Sequence, residues 1–201
     1  MAVRLQRHAL GVTWAEQNAM ARAGHALVDE RRRVWLVDPY ENADAIAAAV
    51  ELGTPAGVLQ LLNRHNRDCK TIAERLGVPL MRLPMDAAGT PFTPFPMISN
   101  RAWREVALWW ADERALVVAE AVGTAPAFAL GRRAGLHPAL RLAPPRKQLL
   151  RFKPERLLVG HGGAIESAAD AALRDALAHS RSDIPQLLLS APKLLRSAFG
   201  S

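Results

Sequence analysis

The feature that most restricts this chain is a change of hydrophobic period, repeated between residues 34 and 83. Val34–Val37, Val58–Leu62 and Val78–Leu83 are short apolar runs of strand length. Between them lie two stretches with helical spacing. Ala43–Leu52 is alanine-rich and stops at Gly53, a good C-cap, and Asp68–Leu76 places Ile72, Ala73 and Leu76 on one face and stops at Gly77. The order strand, helix, strand, helix, strand predicts α/β organisation with a largely buried sheet.

The flanks extend the pattern. Arg4–Ala21 has β-formers and no helical period, predicting one or two strands. His25–Val28 and Val34–Val37 flank the polar turn Asp29–Arg32 as a hairpin, which ends at the turn signal Asp38-Pro39. Pro84–Asn100 reads as a loop because Pro91, Pro94 and Pro96 crowd it. Trp103–Trp110 alternates like a strand and pairs with Ala115–Ala119 across the turn Ala111–Arg114. Trp103, Trp109 and Trp110 are read as packing residues. Arg156–Val159 is a short strand before Gly160-His161-Gly162-Gly163, and a helix follows over Ala164–His179. A last helix starts at Ser182 or Asp183 with Pro185 in its first turn. These elements divide the chain into a domain over 1–181 and a C-terminal helical extension over 182–201.

Composition removes several classes. Half of the 201 residues are hydrophobic and 22% are charged, so the chain has enough apolar material for a core and is not disordered. The single cysteine, Cys69, excludes an internal disulfide scaffold and a four-cysteine zinc ribbon. No stretch reaches the roughly 18 apolar residues of a membrane span, and Met1–Val12 has no signal-peptide core. The expectation is a soluble, cytoplasmic protein, compatible with a homo-oligomer. The net charge of +7 is concentrated in one place. Residues 131–156 hold eight bases and only Glu155, so 8 − 1 accounts for all of it. Such a segment would draw an anionic ligand, and nucleic acid is one candidate. Four prolines interrupt it and Phe152 is its only aromatic, so a solvated basic face is the plainer reading.

Site candidates sit where α/β proteins place them, in loops after buried strands. These are Asn63-Arg64-His65-Asn66-Arg67-Asp68-Cys69, Glu120 and Gly160-His161-Gly162-Gly163. Cys69, at a helix start beside Lys70, is either a nucleophile partnered by His161 or, more commonly for such a residue, a buried inert thiol. His65 reads as exposed or supporting, and His8, His25, His137 and His179 receive no role.

The order of these loops resembles the metallo-β-lactamase superfamily over roughly residues 15–175. That family carries Thr-His-x-His-x-Asp-His after a buried strand, where this chain has Asn63–Cys69. It has a Gly-Asp pair, here Ala119-Glu120, then a Pro-Gly-His-Gly turn, here Val159-Gly160-His161-Gly162. The hairpin ending Leu36-Val37-Asp38-Pro39 is similar to the family's early strand. The resemblance implies a four-layer αββα sandwich. Matched position by position, Arg64 and Asn66 replace loop histidines, so the first metal position is lost, because arginine does not give up its proton to ligate. Asp68, Cys69, Glu120 and His161 match the second position, all acceptable zinc ligands.

The resemblance therefore implies a degenerate pocket of Arg64, Asn66, Asp68, Cys69, Glu120 and His161. Arg64 would pair with Asp68 or Glu120 in place of a metal. The corresponding function is a binding or scaffold protein without hydrolase activity and without a cofactor. One alternative is a hydrolase of an ester, thioester or phosphoester, with a single zinc on Asp68, Cys69, Glu120 and His161. Another is a nucleic-acid-associated protein acting through residues 131–156.

Overall fold

The computed structural model describes residues 2–65 and 67–199, so Asn66 lies outside the described residues. The chain opens with β1 (Val3–His8), β2 (Gly11–Glu16), β3 (Ala23–Val28) and β4 (Arg33–Val37), an antiparallel meander. Helix α1 (Ala43–Glu51), β5 (Thr54–Gln60), α2 (Cys69–Leu76) and β6 (Leu80–Arg82) follow, with β4, β5 and β6 parallel. Together the strands form one sheet in the order β1 to β6.

The second half contains β7 (Thr93–Ser99), β8 (Arg104–Trp110), β9 (Ala115–Val118), β10 (Val122–Gly123) and α3 (Pro126–Ala129). After these come β11 (Gly135–Leu136), α4 (Arg146–Leu149), β12 (Arg156–Val159), α5 (Ala169–Ala178) and α6 (Ile184–Phe199). Its main sheet runs β12-β9-β8-β7, with β12 parallel to β9.

Period-two burial sets the layers. Val34, Leu36 and Val58 face Ala45, Ile46 and Ile72 of α1 and α2. Their neighbours Trp35, Val37 and Leu59 face Val106, Leu108 and Val117 of the other sheet. On the far side, Leu116, Val118 and Leu157 pack on Leu173 and Leu177 of α5. The result is the expected four-layer αββα sandwich, and both sheets are apolar on both faces because both are covered twice.

Three expectations change. Residues 93–99 form β7 rather than a loop. Pro94 and Pro96 are tolerated because β7 is an outer strand, where N–H groups directed away from β8 have no partner to meet. The helix expected from Ala164 starts at Ala169, because Ile165 first bridges to Leu157. Gly53 is not a left-handed cap. The cap is Leu52, and Gly53 is required because a Cβ there would meet the Arg32 carbonyl oxygen at 2.1 Å. Gly77 does cap α2 in the left-handed region, at φ 66°.

The tryptophans pack as expected. Trp103 and Trp110 are buried between the sheets, and Trp109 stacks on Phe152 at 4.5 Å. The basic segment is not a continuous face. Arg132 pairs with Asp175 and Asp183, Arg141 is buried against Asp183 and the Phe128 carbonyl, and Arg156 pairs with Glu113. Arg133 and Arg146 donate to the Ser167 and Leu177 carbonyls. Three of its eight bases are paired with acids, and Arg133, Arg146, Lys147, Arg151 and Lys153 remain exposed.

Candidate functional site

The ends of β4, β5, β9 and β12 meet at one edge of the sandwich. Asp38 follows β4, held at φ 44°, and its N–H donates to the Leu59 carbonyl. The Asp38 carboxylate accepts from the Leu61 N–H at 3.0 Å and from His65 Nδ1 at 3.0 Å. Burial alone would raise this carboxyl, but His65, Arg67 and the Leu61 N–H bring it below the ordinary value.

The loop after β5 supplies His65, which is buried, and two arginines with different settings. Arg67 reaches inward. Its Nη1 donates to the Ala23 carbonyl and, at 2.8 Å, to the Asp38 carbonyl, and its Nη2 donates to the Gly160 carbonyl at 3.1 Å. The same Nη2 lies 3.5 Å from His65 Nε2. Arg64 stays at the rim with 44% of its side chain exposed, pairs with Glu120 at 2.6 Å, and stacks 4.2 Å over Trp103.

Glu120 follows β9. Its backbone N–H and that of Ala121 both donate to Glu105, a fully buried carboxyl that also accepts from Trp103 Nε1. Burial, opposed by these three donors, pushes Glu105 up to about 7. His161 follows β12. Its Nδ1 donates to the Met20 carbonyl at 2.9 Å, and its ring stacks on Phe128 at 4.9 Å. Burial first, then the charge of Arg67, holds His161 down at about 4. His137 also arrives here: its Nδ1 accepts from the Ala139 N–H, and its Nε2 lies 3.8 Å from Glu120. Burial lowers its pKa, against the pull of Glu120.

One group among the described residues has the spacing of metal ligands. His65, Glu120 and His161 offer ligand atoms all within 4.8 Å of one another. Both imidazoles have Nδ1 tied to an acceptor and Nε2 turned inward, the arrangement that orients histidine for a metal.

No family model and no curated protein matches the sequence. Solved structures do match. A metallo-β-lactamase from Hirschia baltica aligns over 90% of this chain and 98% of its own, with TM-score 0.63 and 11% identity. The FIM-1 metallo-β-lactamase from Pseudomonas aeruginosa, in its mono-zinc form, aligns over 92% and 97%, with TM-score 0.61 and 9% identity. A fragment of a diflavin flavoprotein from Nostoc sp. PCC 7120 aligns over 90% and 97%, with TM-score 0.62 and 12% identity. The fold is that of the metallo-β-lactamases.

Within the metallo-β-lactamase fold, the site residues expected from sequence separate into two groups. Glu120 and His161 converge. Asp68 and Cys69 are not part of the ligand-spaced group. The Asp68 carboxylate accepts from the Glu41 N–H at 2.7 Å, outside the pocket. Cys69 is buried among the residues that join α2 to the first sheet, with Sγ 3.6 Å from the Pro39 carbonyl. Burial, then Asp38, pushes its thiol up to about 12, so no nucleophilic thiolate forms there. The displacement has a simple cause: α2 begins at Cys69, which turns that side chain into the helix–sheet layer. His65, expected to be exposed or supporting, is buried and faces the site. Arg64 meets Glu120 as one of its two expected partners, while the cation that reaches inward is Arg67. His65, His137 and Arg67 were missed. His65 and Arg67 lie in a loop without a period to read, and His137 arrives through β10 and β11, two residues each, which leave no pattern.

Proposed function

We propose that this protein uses the metallo-β-lactamase fold without metal-dependent hydrolysis, and serves as a binding or scaffold protein through the pocket at its strand ends. The observation that carries this reading is Arg67. Its guanidinium fills the hydrogen-bonding positions on the Asp38, Ala23 and Gly160 carbonyls and covers the Nε2 lone pair of His65. Arg64 neutralises Glu120 in the same way at the rim. Asp38 and Glu120 are thus matched by two permanent cations.

A dication bound to His65 Nε2 would lie within about 5 Å of Arg67, a repulsion of roughly 7 kcal/mol at an effective dielectric of 20. A zinc site with a full ligand set gains about 10–16 kcal/mol. Three ligands, two of them already engaged by Arg67 and Arg64, do not fit that ion while Arg67 stays in place.

One observation favours a second reading, a single-zinc hydrolase of an ester, thioester or phosphoester. The inward Nε2 atoms of His65 and His161, with Glu120 between them, are donors of the right type, and Arg67 would have to withdraw. Elemental analysis of protein purified without chelator separates the two. The first reading expects metal far below one equivalent, unchanged in Glu120→Ala. Near-stoichiometric zinc, lost in His161→Ala and Glu120→Ala, would replace it with the second.

A further inference from the structure

Among the described residues, helix α6 is fastened along one side. Asp183, just before it, accepts from Arg132 Nε at 3.0 Å, Gln186 donates to the Leu130 carbonyl at 3.1 Å, and Leu194 packs on Ala21, Ala125, Ala127 and Phe128. At 100° per residue, Leu187, Ala191 and Leu194 share the inner side. The outer side carries Pro185, Leu188, Leu189, Pro192 and Arg196, all exposed, with exposed Lys193 at its rim beside Gln186. Leu188 and Leu189, at 68% and 84%, are the most exposed large apolar side chains among the described residues. Exposed Leu142 sits beside the start of this helix, where Arg181 donates to its carbonyl.

The charge on this face is one-sided. After Asp183 the sequence contains no acid, so the outer face is apolar and basic only. An ordinary solvated helix face mixes both signs and avoids adjacent exposed leucines. Two copies of the face would bring four bases together without a counter-charge, which disfavours self-pairing. A groove is also a poor fit, since the other side of α6 is already packed and cannot be surrounded. A plane of negative charge with an apolar interior satisfies both components. Leucines enter the acyl boundary while Lys193 and Arg196 reach the head groups along their own apolar stems.

We propose that the outer face of α6 is a docking surface for an anionic phospholipid membrane. The test is co-sedimentation of the full chain with vesicles. Phosphatidylcholine vesicles containing phosphatidylglycerol should retain the protein at low salt and release it at high salt, and vesicles of phosphatidylcholine alone should not retain it. Lys193→Gln with Arg196→Gln should weaken retention about 30-fold, from about 1 kcal/mol per base near the surface. Leu188→Ser with Leu189→Ser should weaken it as well, at an unchanged circular dichroism spectrum and urea midpoint. The proposal is overturned if anionic vesicles do not retain the protein, or if both double variants bind like the parent. It is overturned equally if, without lipid, the chain is a dimer that Leu188→Ser with Leu189→Ser disperses.

Discussion

Replacing Arg67 by methionine removes a charge and keeps most of the side-chain volume, so it isolates what the guanidinium does. The Ala23 and Asp38 carbonyls lose their donor, the Gly160 carbonyl keeps the Ala23 N–H, and the buried Asp38 carboxylate loses a nearby cation. A buried acceptor left unpaired costs about 1–3 kcal/mol, so two together cost roughly 2–6 kcal/mol. Methionine no longer needs desolvation as an ion, which returns several kcal/mol, and breaking buried pairs of this kind nets about 3–5 kcal/mol. For a chain of this size about 4 kcal/mol corresponds to a melting temperature lower by about 8–16 °C. Arg64→Met provides the control. That pair is 44% exposed on the arginine side, so its loss should cost at most about 1 kcal/mol. Urea unfolding of both variants, followed by tryptophan fluorescence, gives the comparison. If Arg67→Met unfolds within 1 kcal/mol of the parent (the upper end for an exposed pair), or if Arg64→Met is the more damaging change, the assignment of the central cation to Arg67 is wrong.

Three further outcomes follow from the same contacts. Arg67→Met uncovers His65 Nε2, so zinc should raise the melting temperature of this variant and leave the parent unmoved; equal responses in a thermal shift assay would contradict the charge argument. His25 is buried with Nε2 donating to the Val159 carbonyl and Nδ1 accepting from Thr13, and burial holds it down at about 3. The unfolded chain therefore binds the extra proton between pH 6.5 and 3, and this residue's contribution, up to about 5 kcal/mol, is lost as pH falls through that window. Melting temperatures across it should fall steeply in the parent and less in His25→Gln. Asp183→Asn leaves the buried Arg141 guanidinium without its carboxylate, and should cost about 3–5 kcal/mol and open the start of α6 to trypsin at Arg181. An unchanged digestion pattern would refute that anchoring role.

The layers were legible because burial imposes a period. Strands covered on both faces must be continuously apolar, and Val34–Val37, Val58–Leu62 and Arg156–Val159 could be located on that ground alone. β7 escaped because proline is a local signal for a loop, while its acceptance on an outer strand is a property of the assembled sheet. In the site, Glu120 and His161 were found from their places after strands. The loop after β5 was read one residue out of step, because a start of α2 at Cys69 cannot be told from Asp68 by composition. The two arginines of that loop differ in what they reach, Glu120 for Arg64 and three backbone carbonyls for Arg67, and identical side chains give a sequence no means to choose between them.

The strand edges of this sandwich are all obstructed, each differently. β7 offers prolines at 94 and 96, β6 is three residues long, and β1 presents exposed Arg4 and Arg7. Beyond β12, Ile165 already bridges to Leu157. A foreign chain therefore finds no long, unpaired backbone ladder to extend, which is how fibril growth and strand exchange begin. Encounters between molecules are thereby turned toward side-chain surfaces and away from backbone pairing.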